Sequence, residues 1–255
     1  MKFGGASLST AAQFDAISNL IVKKRESYSN VVIVVSAMGE TTNELTALAK
    51  SVNPTPPQRE LDMLLSVGER ISMSLLAMAL AKRAEQAISF TGSQSGIITS
   101  TEHSEAKIIA VKPHRILSSL EEGKIVIVAG FQGVSRTGEI TTLGRGGSDT
   151  TAVALAIALR AEKVEFYKDV PGFFEEDPKT NPEASHFAQL SYDQAIEIVA
   201  NGAKILHQRS LHLARSNQIP LHVLSFKEDH QLLTGTVIRS DAILVSLPIY
   251  ECEVS

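Results

Sequence analysis

Two glycine-rich segments carry residue types suited to a phosphorylated, acidic ligand. The first, Lys2-Phe3-Gly4-Gly5-Ala6-Ser7, sets a lysine ahead of two glycines and a following helix. Glycine lets backbone N–H groups approach phosphate oxygens with no Cβ in the way. The helix N-terminus adds partial positive charge, and Lys2 adds a full one. The lysine precedes the glycines, so this is not the Walker order. A tight strand-to-helix turn accounts for the same residues without a ligand. The second segment runs Thr142-Leu143-Gly144-Arg145-Gly146-Gly147-Ser148-Asp149-Thr150. Ser148 or Asp149 can cap the helix that follows. Capping alone does not call for Gly146, Gly147 and an arginine. Arg145 in such a loop suits a bidentate contact with a carboxylate.

Four further segments join them. Lys168-Asp169-Val170-Pro171-Gly172-Phe173-Phe174, continuing to Lys179, follows a predicted strand directly. Ligands of open α/β sheets gather beyond the carboxyl ends of strands, where Asp169 could meet a ribose hydroxyl or Mg²⁺. The same residues are also plain turn signals. Ser36 to Asn43, including Thr42, places small hydroxyl residues between a strand and a helix. Glu69 in Gly68-Glu69-Arg70 interrupts an apolar helix; it is either a salt-bridged face or a holder of a substrate ammonium. Lys204 lies in Gly202-Ala203-Lys204, between two helices, where a solvated lysine is the default. The histidines form no metal-ligand spacing with a cysteine or carboxylate. There is no Gly-x-Ser-x-Gly elbow and no convincing nucleophile–base pair.

The elements that must position these residues alternate. Val31–Ser36, Lys124–Ala129, Lys163–Lys168 and Leu221–Leu224 read as buried strands. Ala11–Tyr28, Leu61–Ala84, Pro113–Glu121, Asp149–Ala161, Tyr192–Ala200 and Ile205–Ser216 read as helices. This alternation predicts an α/β fold, a three-layer α/β/α sandwich with a mostly parallel central sheet. The first strand has only Met1 to Phe3 in which to form. Ser135–Gly138 reads as a hairpin turn, and Gly235–Arg239 and Ala242–Leu247 as late strands.

Composition narrows the classes. The 255 residues carry a net charge of −4, no tryptophan and 5% aromatics. That leaves no basic footprint for nucleic acid and no stacking platform. Cys252 is the only cysteine, so no intrachain disulfide can form, which fits a reducing cytoplasm. No apolar run reaches the roughly 18 residues of a membrane span.

Taken in order, the segments resemble the aspartokinase branch of the amino-acid kinase superfamily. KFGGAS resembles that family's opening KFGGTS. VVSAMGETTNEL, LLSVGERIS, GFQG, TTLGRGGSDTTA, YKDVPGFFEEDPK and GAKILH resemble its later blocks, over nearly the whole chain. The resemblance implies transfer of the γ-phosphate of ATP to the β-carboxylate of L-aspartate, with Mg²⁺, in a homodimer. Lys2, Gly4, Gly5 and Asp149 are the implied catalytic residues. Ser36, Thr42, Glu69, Arg145, Gly146, Gly147 and Ser148 are implied to surround aspartate, with Arg145 on its α-carboxylate and Glu69 on its α-ammonium. Lys2, Gly5, Ser7, Lys168, Asp169, Phe174, Lys179 and Lys204 fall at nucleotide positions. Lys168, Phe174 and Lys179 stand where the family commonly has threonine, tyrosine and arginine, and Ala6 stands for threonine. Residues 1–240 would be the catalytic unit, one lobe for the amino acid and one for ATP. Residues 241–255 would open a regulatory region that is otherwise missing. Two alternatives stay open: a related kinase with another small acid acceptor, and an inactive nucleotide-binding paralogue.

Overall fold

In the computed structural model the chain is described over residues 1–176, 178, 180–181, 183–227, 234–240 and 248–251. It begins with β1 (Lys2–Phe3), a 3₁₀ turn (Gly5–Leu8), α1 (Ala11–Arg25), β2 (Val32–Val35) and α2 (Thr41–Val52). Then come α3 (Gln58–Leu65), α4 (Val67–Ala81), β3 (Ala87–Phe90), β4 (Ile97–Thr99), β5 (Ile108–Val111) and α5 (His114–Glu121). The middle is β6 (Ile125–Ala129), β7 (Gln132–Ser135), β8 (Ile140–Thr142), α6 (Gly147–Leu159) and β9 (Val164–Lys168). The last part holds β10 (Phe173–Phe174), β11 (His186–Phe187), β12 (Gln189–Leu190), α7 (Tyr192–Ala200), α8 (Gln208–Asn217), β13 (Leu221–Ser225) and β14 (Thr236–Ile238).

The main sheet has the order β12-β14-β13-β9-β1-β2-β6-β3. Every neighbouring pair is parallel except β13 with β14. Side-chain alternation along the strands sorts the core into two layers. Ile33 and Val35 face Phe14 and Ile17 of α1 and Leu76 and Leu80 of α4. Val34 turns the other way and joins Val126, Val128, Phe166 and residues of α5, α6 and α8. The expected three-layer sandwich is present, and β1 is two residues long.

Three features differ from the sequence reading. A second sheet, β5-β4-β7-β8, flanks the first; its β7–β8 hairpin turns where the Ser135–Gly138 signal lies. The single helix expected over Leu61–Ala84 divides at Ser66. There the Gln132 side-chain amide donates to the Ser66 carbonyl at 2.7 Å. Together α3 and α4 are long and apolar enough to cross a membrane by length and composition, contrary to the count of apolar runs. Asp62, Glu69 and Ser72 are nonetheless buried in them among the core residues Met73, Leu76 and Leu80. The strand expected at Ala242–Leu247 lies outside the described residues.

Candidate active site

Parallel strands deliver their carboxyl ends to one edge, and loops after β1, β2, β6 and β9 meet there. They enclose a cleft of about 300 Å³ lined by Lys2, Gly5, Ser36, Thr42, Glu69, Gly146, Gly147, Ser148 and Asp149, with Ala37, Gly39, Phe131 and Gly144. A larger cavity of about 360 Å³ lies at the opposite, amino end of β1 and β2. Its wall is largely aliphatic, and its carboxylate Glu165 is already paired with Lys24 at 3.1 Å and Lys163 at 3.0 Å. The carboxyl-end cleft is the one that gathers Lys2, Thr42, Glu69, Ser148 and Asp149.

Its floor is an ion cluster. Lys2 Nζ lies 2.7 Å from Asp149 Oδ1, and Lys168 Nζ lies 3.4 Å from Oδ2. Lys2 is 5% exposed and Asp149 7%. Burial alone would raise the Asp149 carboxyl; the Lys168 and Lys2 ammonium groups outweigh it and hold it at about 2. Burial lowers Lys168, with Asp149 opposing. The cluster therefore sets two lysine side chains around one carboxylate, a floor whose ammonium groups can face an anion. Asp169 lies close enough to add its charge to Lys168.

One wall is prepared for a cation. Glu69 is 3% exposed. Its Oε1 accepts from the Ala37 N–H at 3.1 Å, and its Oε2 has no hydrogen-bond partner among the described residues. Burial raises its carboxyl to about 7. A buried carboxylate oxygen without a donor is costly, and an incoming ammonium would relieve that cost.

The glycine loop before α6 forms the other wall. Gly144 and Gly146 have φ of +70° and +73°. The helix begins at Gly147 with Gly146 as its N-cap and no side-chain cap. Capping by Ser148 or Asp149 is therefore corrected: both lie inside the first turn. A Cβ on Gly146 would come within 2.2 Å of the His207 ring. Gly146→Ala adds positive-φ strain to that collision, so we expect a loss of at least about 2 kcal/mol and a Tm lower by about 4–8 °C on calorimetry. Gly5 is tied in a different way. A Cβ there would lie 2.7 Å from the Ala37 carbonyl, and the Gly39 N–H donates to the Gly5 carbonyl at 3.1 Å. The β1 and β2 loops thus lock together around the cleft.

Other predicted residues take different places. Ser7 is buried, and its hydroxyl donates to the Gly4 carbonyl at 2.7 Å, which shapes the turn. Arg145 is exposed beside the cleft, with no ion pair among the described residues. Lys204 is exposed between α7 and α8. Phe174 packs edge-on against His186 at 5.0 Å. Lys179 lies outside the described residues. Sequence reasoning did not single out Phe131. It lines the cleft at φ +68°, a conformation that costs strain in a bulky residue. The quoted GFQG block held the signal, but nothing in it revealed the angle.

The amino acid kinase family model matches residues 1–225. The chain is 49% identical over 239 residues to an aspartokinase of Mycolicibacterium smegmatis, covering 93% of this chain and 56% of that protein. It spans little more than half the length of the curated relatives it matches. The aspartate kinase structure from Synechocystis superposes with a TM-score of 0.84 at 41% identity, over 96% of this chain and 40% of that one. E. coli aspartokinase III, in complex with aspartate and ADP, gives 0.83 at 27% identity, over 95% and 64%.

Proposed function

This chain belongs to the amino acid kinase family, and from that premise we propose that it is an aspartate kinase. It would transfer the γ-phosphate of ATP to the β-carboxylate of L-aspartate and give L-aspartyl 4-phosphate. The observation that carries this reading is the pairing in one cleft of a two-lysine floor with the Glu69 carboxylate, whose Oε2 has no hydrogen-bond partner among the described residues. The first suits a transferring phosphoryl group and the second an α-ammonium. The E. coli relative that holds aspartate and ADP, and the relatives named aspartokinase, support the same substrates.

The chemistry asks for placement rather than proton transfer. A β-carboxylate with a free pKa of about 3.9 is already ionised at neutral pH. One of its oxygens forms a new bond to the γ-phosphorus as the bond to the β,γ-bridging oxygen breaks, and ADP leaves with that electron pair. Lys2 and the N–H groups around Gly4 and Gly5 would stabilise the moving phosphoryl oxygens. Asp149 holds the Lys2 and Lys168 ammonium groups in place. Among the described residues no three His, Cys, Asp or Glu side chains gather as a metal cage. Mg²⁺ typically binds through one or two carboxylates together with substrate phosphates. Both Asp149 oxygens face lysine ammonium groups, so Mg²⁺ would be held chiefly by the substrate phosphates, with Asp149 as the carboxylate nearest to them, and would neutralise phosphate charge there.

Arg145, exposed at the rim, would pair with the α-carboxylate of aspartate. Arg145→Ala is expected to raise the aspartate KM by about tenfold to a hundredfold with kcat within about threefold. Steady-state kinetics with an unchanged KM would remove that role. The homodimer expected from the resemblance belongs to this proposal, and the exposed Val67, Ile71, Leu75 and Met78 of α4 offer apolar surface for it. So does a cytoplasmic setting. ADP release from this chain with aspartate, glutamate or carbamate as acceptor tests the reading. Aspartate-dependent release supports it; release with another acid instead, or with none, rejects it.

A further inference from the structure

The glycine loop is braced from behind by the first turn of α8, and that brace reaches a distant part of the chain. His207 packs against Gly146, and its Nδ1 accepts from the Arg209 N–H at 3.3 Å. The Arg209 guanidinium then spreads its donors over three segments. Nη1 donates to the Leu143 carbonyl, immediately before Gly144 and Arg145. Nη2 donates to the Ala106 carbonyl at 2.6 Å. Nε donates to Glu251 Oε1, and Nη2 to Glu251 Oε2 at 2.8 Å.

Glu251 is itself held in place. Its Oε2 also accepts from the Ile108 N–H at 2.6 Å, and its own N–H donates to the Ile108 carbonyl at 3.1 Å. Two residues earlier, Ile249 exchanges a pair of hydrogen bonds with the Asn217 side chain, both 2.8 Å, at the far end of α8. Tyr250 packs on the core between them. The segment Ile249–Glu251 therefore runs along α8 from its end to its beginning. It finishes on the arginine that grips the cleft loop.

We infer that Arg209 and Glu251 form a strut that positions the Leu143–Arg145 loop, and so couples the placement of residues 249–251 to the amino-acid side of the cleft. A guanidinium is a rigid planar fork. With Nε and Nη2 engaged by Glu251, the direction of Nη1 toward the Leu143 carbonyl is set. If Glu251 shifts, either the pair breaks or the guanidinium rotates away from Leu143. The coupling is reciprocal: a ligand that tightens the loop also favours the seated position of Glu251. Arg209 and Glu251 are positioning residues, since neither lines the cleft. The effect on substrate rests on the proposed function; the strut does not.

Three variants of the full chain test it, the first two by hydrogen exchange. Glu251→Gln keeps the shape and removes the charge. Asn217→Ala frees Ile249 without touching Arg209. Amide hydrogen exchange at residues 143–147 is expected to accelerate at least about fivefold in both, with β2 and β6 unchanged. The aspartate KM is expected to rise about threefold to tenfold with kcat within about twofold, and Arg209→Lys to fall between parent and Glu251→Gln. Unchanged exchange at 143–147 overturns the strut, as does acceleration spread evenly over the chain. Faster loop exchange with an unaltered KM, in a parent that turns over aspartate, overturns the coupling to substrate. A parent without aspartate turnover refutes the proposed function instead, and the exchange result still decides the strut.

Discussion

Lys2→Met is expected to give a folded protein whose kcat is at least about a hundredfold lower, with the aspartate KM within about threefold of the parent. Removing one preorganised donor aimed at developing charge typically costs a factor of this order. The split follows from where Lys2 lies. Its Nζ is 2.7 Å from Asp149 in the cleft floor, on the side assigned to the moving phosphoryl group. Glu69 and Arg145, assigned to the amino acid, keep their places; because the Lys2 charge helps hold the Glu69 carboxyl down, the KM comparison belongs well above pH 7. Folding should survive because Lys168 still faces Asp149, although the buried carboxylate loses its nearer partner and some stability goes with it. Steady-state kinetics with a thermal melt on the same sample checks both parts. A kcat within tenfold of the parent would remove Lys2 from the reaction.

Glu69→Gln should act on the other half of the cleft. It removes the counter-charge for the substrate ammonium, so the aspartate KM should rise on the order of a hundredfold. The parent should show a matching pH dependence. The Glu69 carboxyl is raised to about 7 by burial, so below that pH it must lose its proton before it can hold an ammonium. The aspartate KM should therefore climb about tenfold per pH unit below about 7 and be flat above it. The glutamine variant should lack this slope.

Stability moves with the same group. Because the folded-state value lies above the ordinary 4.5, the folded protein binds the extra proton between about 4.5 and 7. The stabilisation is complete below the ordinary value and is lost as pH rises through about 7. Between pH 5 and 8 the ligand-free parent should lose about 2–3 kcal/mol relative to Glu69→Gln. Denaturant melts at the two pH values measure this difference. Parallel pH profiles for the two proteins would show that Glu69 is ionised in the empty cleft.

The sequence made the parallel core legible because its strands are continuous β-branched runs. Ile33 to Val35 and Ile125 to Val128 are buried on both faces, so the strand-length apolar signal is strong. The second sheet was missed for the opposite reason. Its strands β4, β5, β7 and β8 are three or four residues long and lie among glycines, threonines and serines that also read as turns. The interruption at Ser66, where the Gln132 amide donates to the carbonyl, has no local sequence signal. At the site, residue identities were readable while their relationships were not. Lys2, Asp149 and Lys168 were each singled out, yet only the fold shows one carboxylate between two lysines. Ser148 and Asp149 looked like caps because their types favour caps. The left-handed Gly146 moved the helix start ahead of them.

The most direct test of the phosphoryl transfer is to incubate this chain with ATP, Mg²⁺ and L-aspartate in the presence of hydroxylamine, and to identify the trapped product by mass spectrometry. Aspartate β-hydroxamate, formed in step with ADP and absent when aspartate or ATP is left out, is the predicted result. ADP formation with no hydroxamate, or hydroxamate only from a different acid, would contradict the assignment.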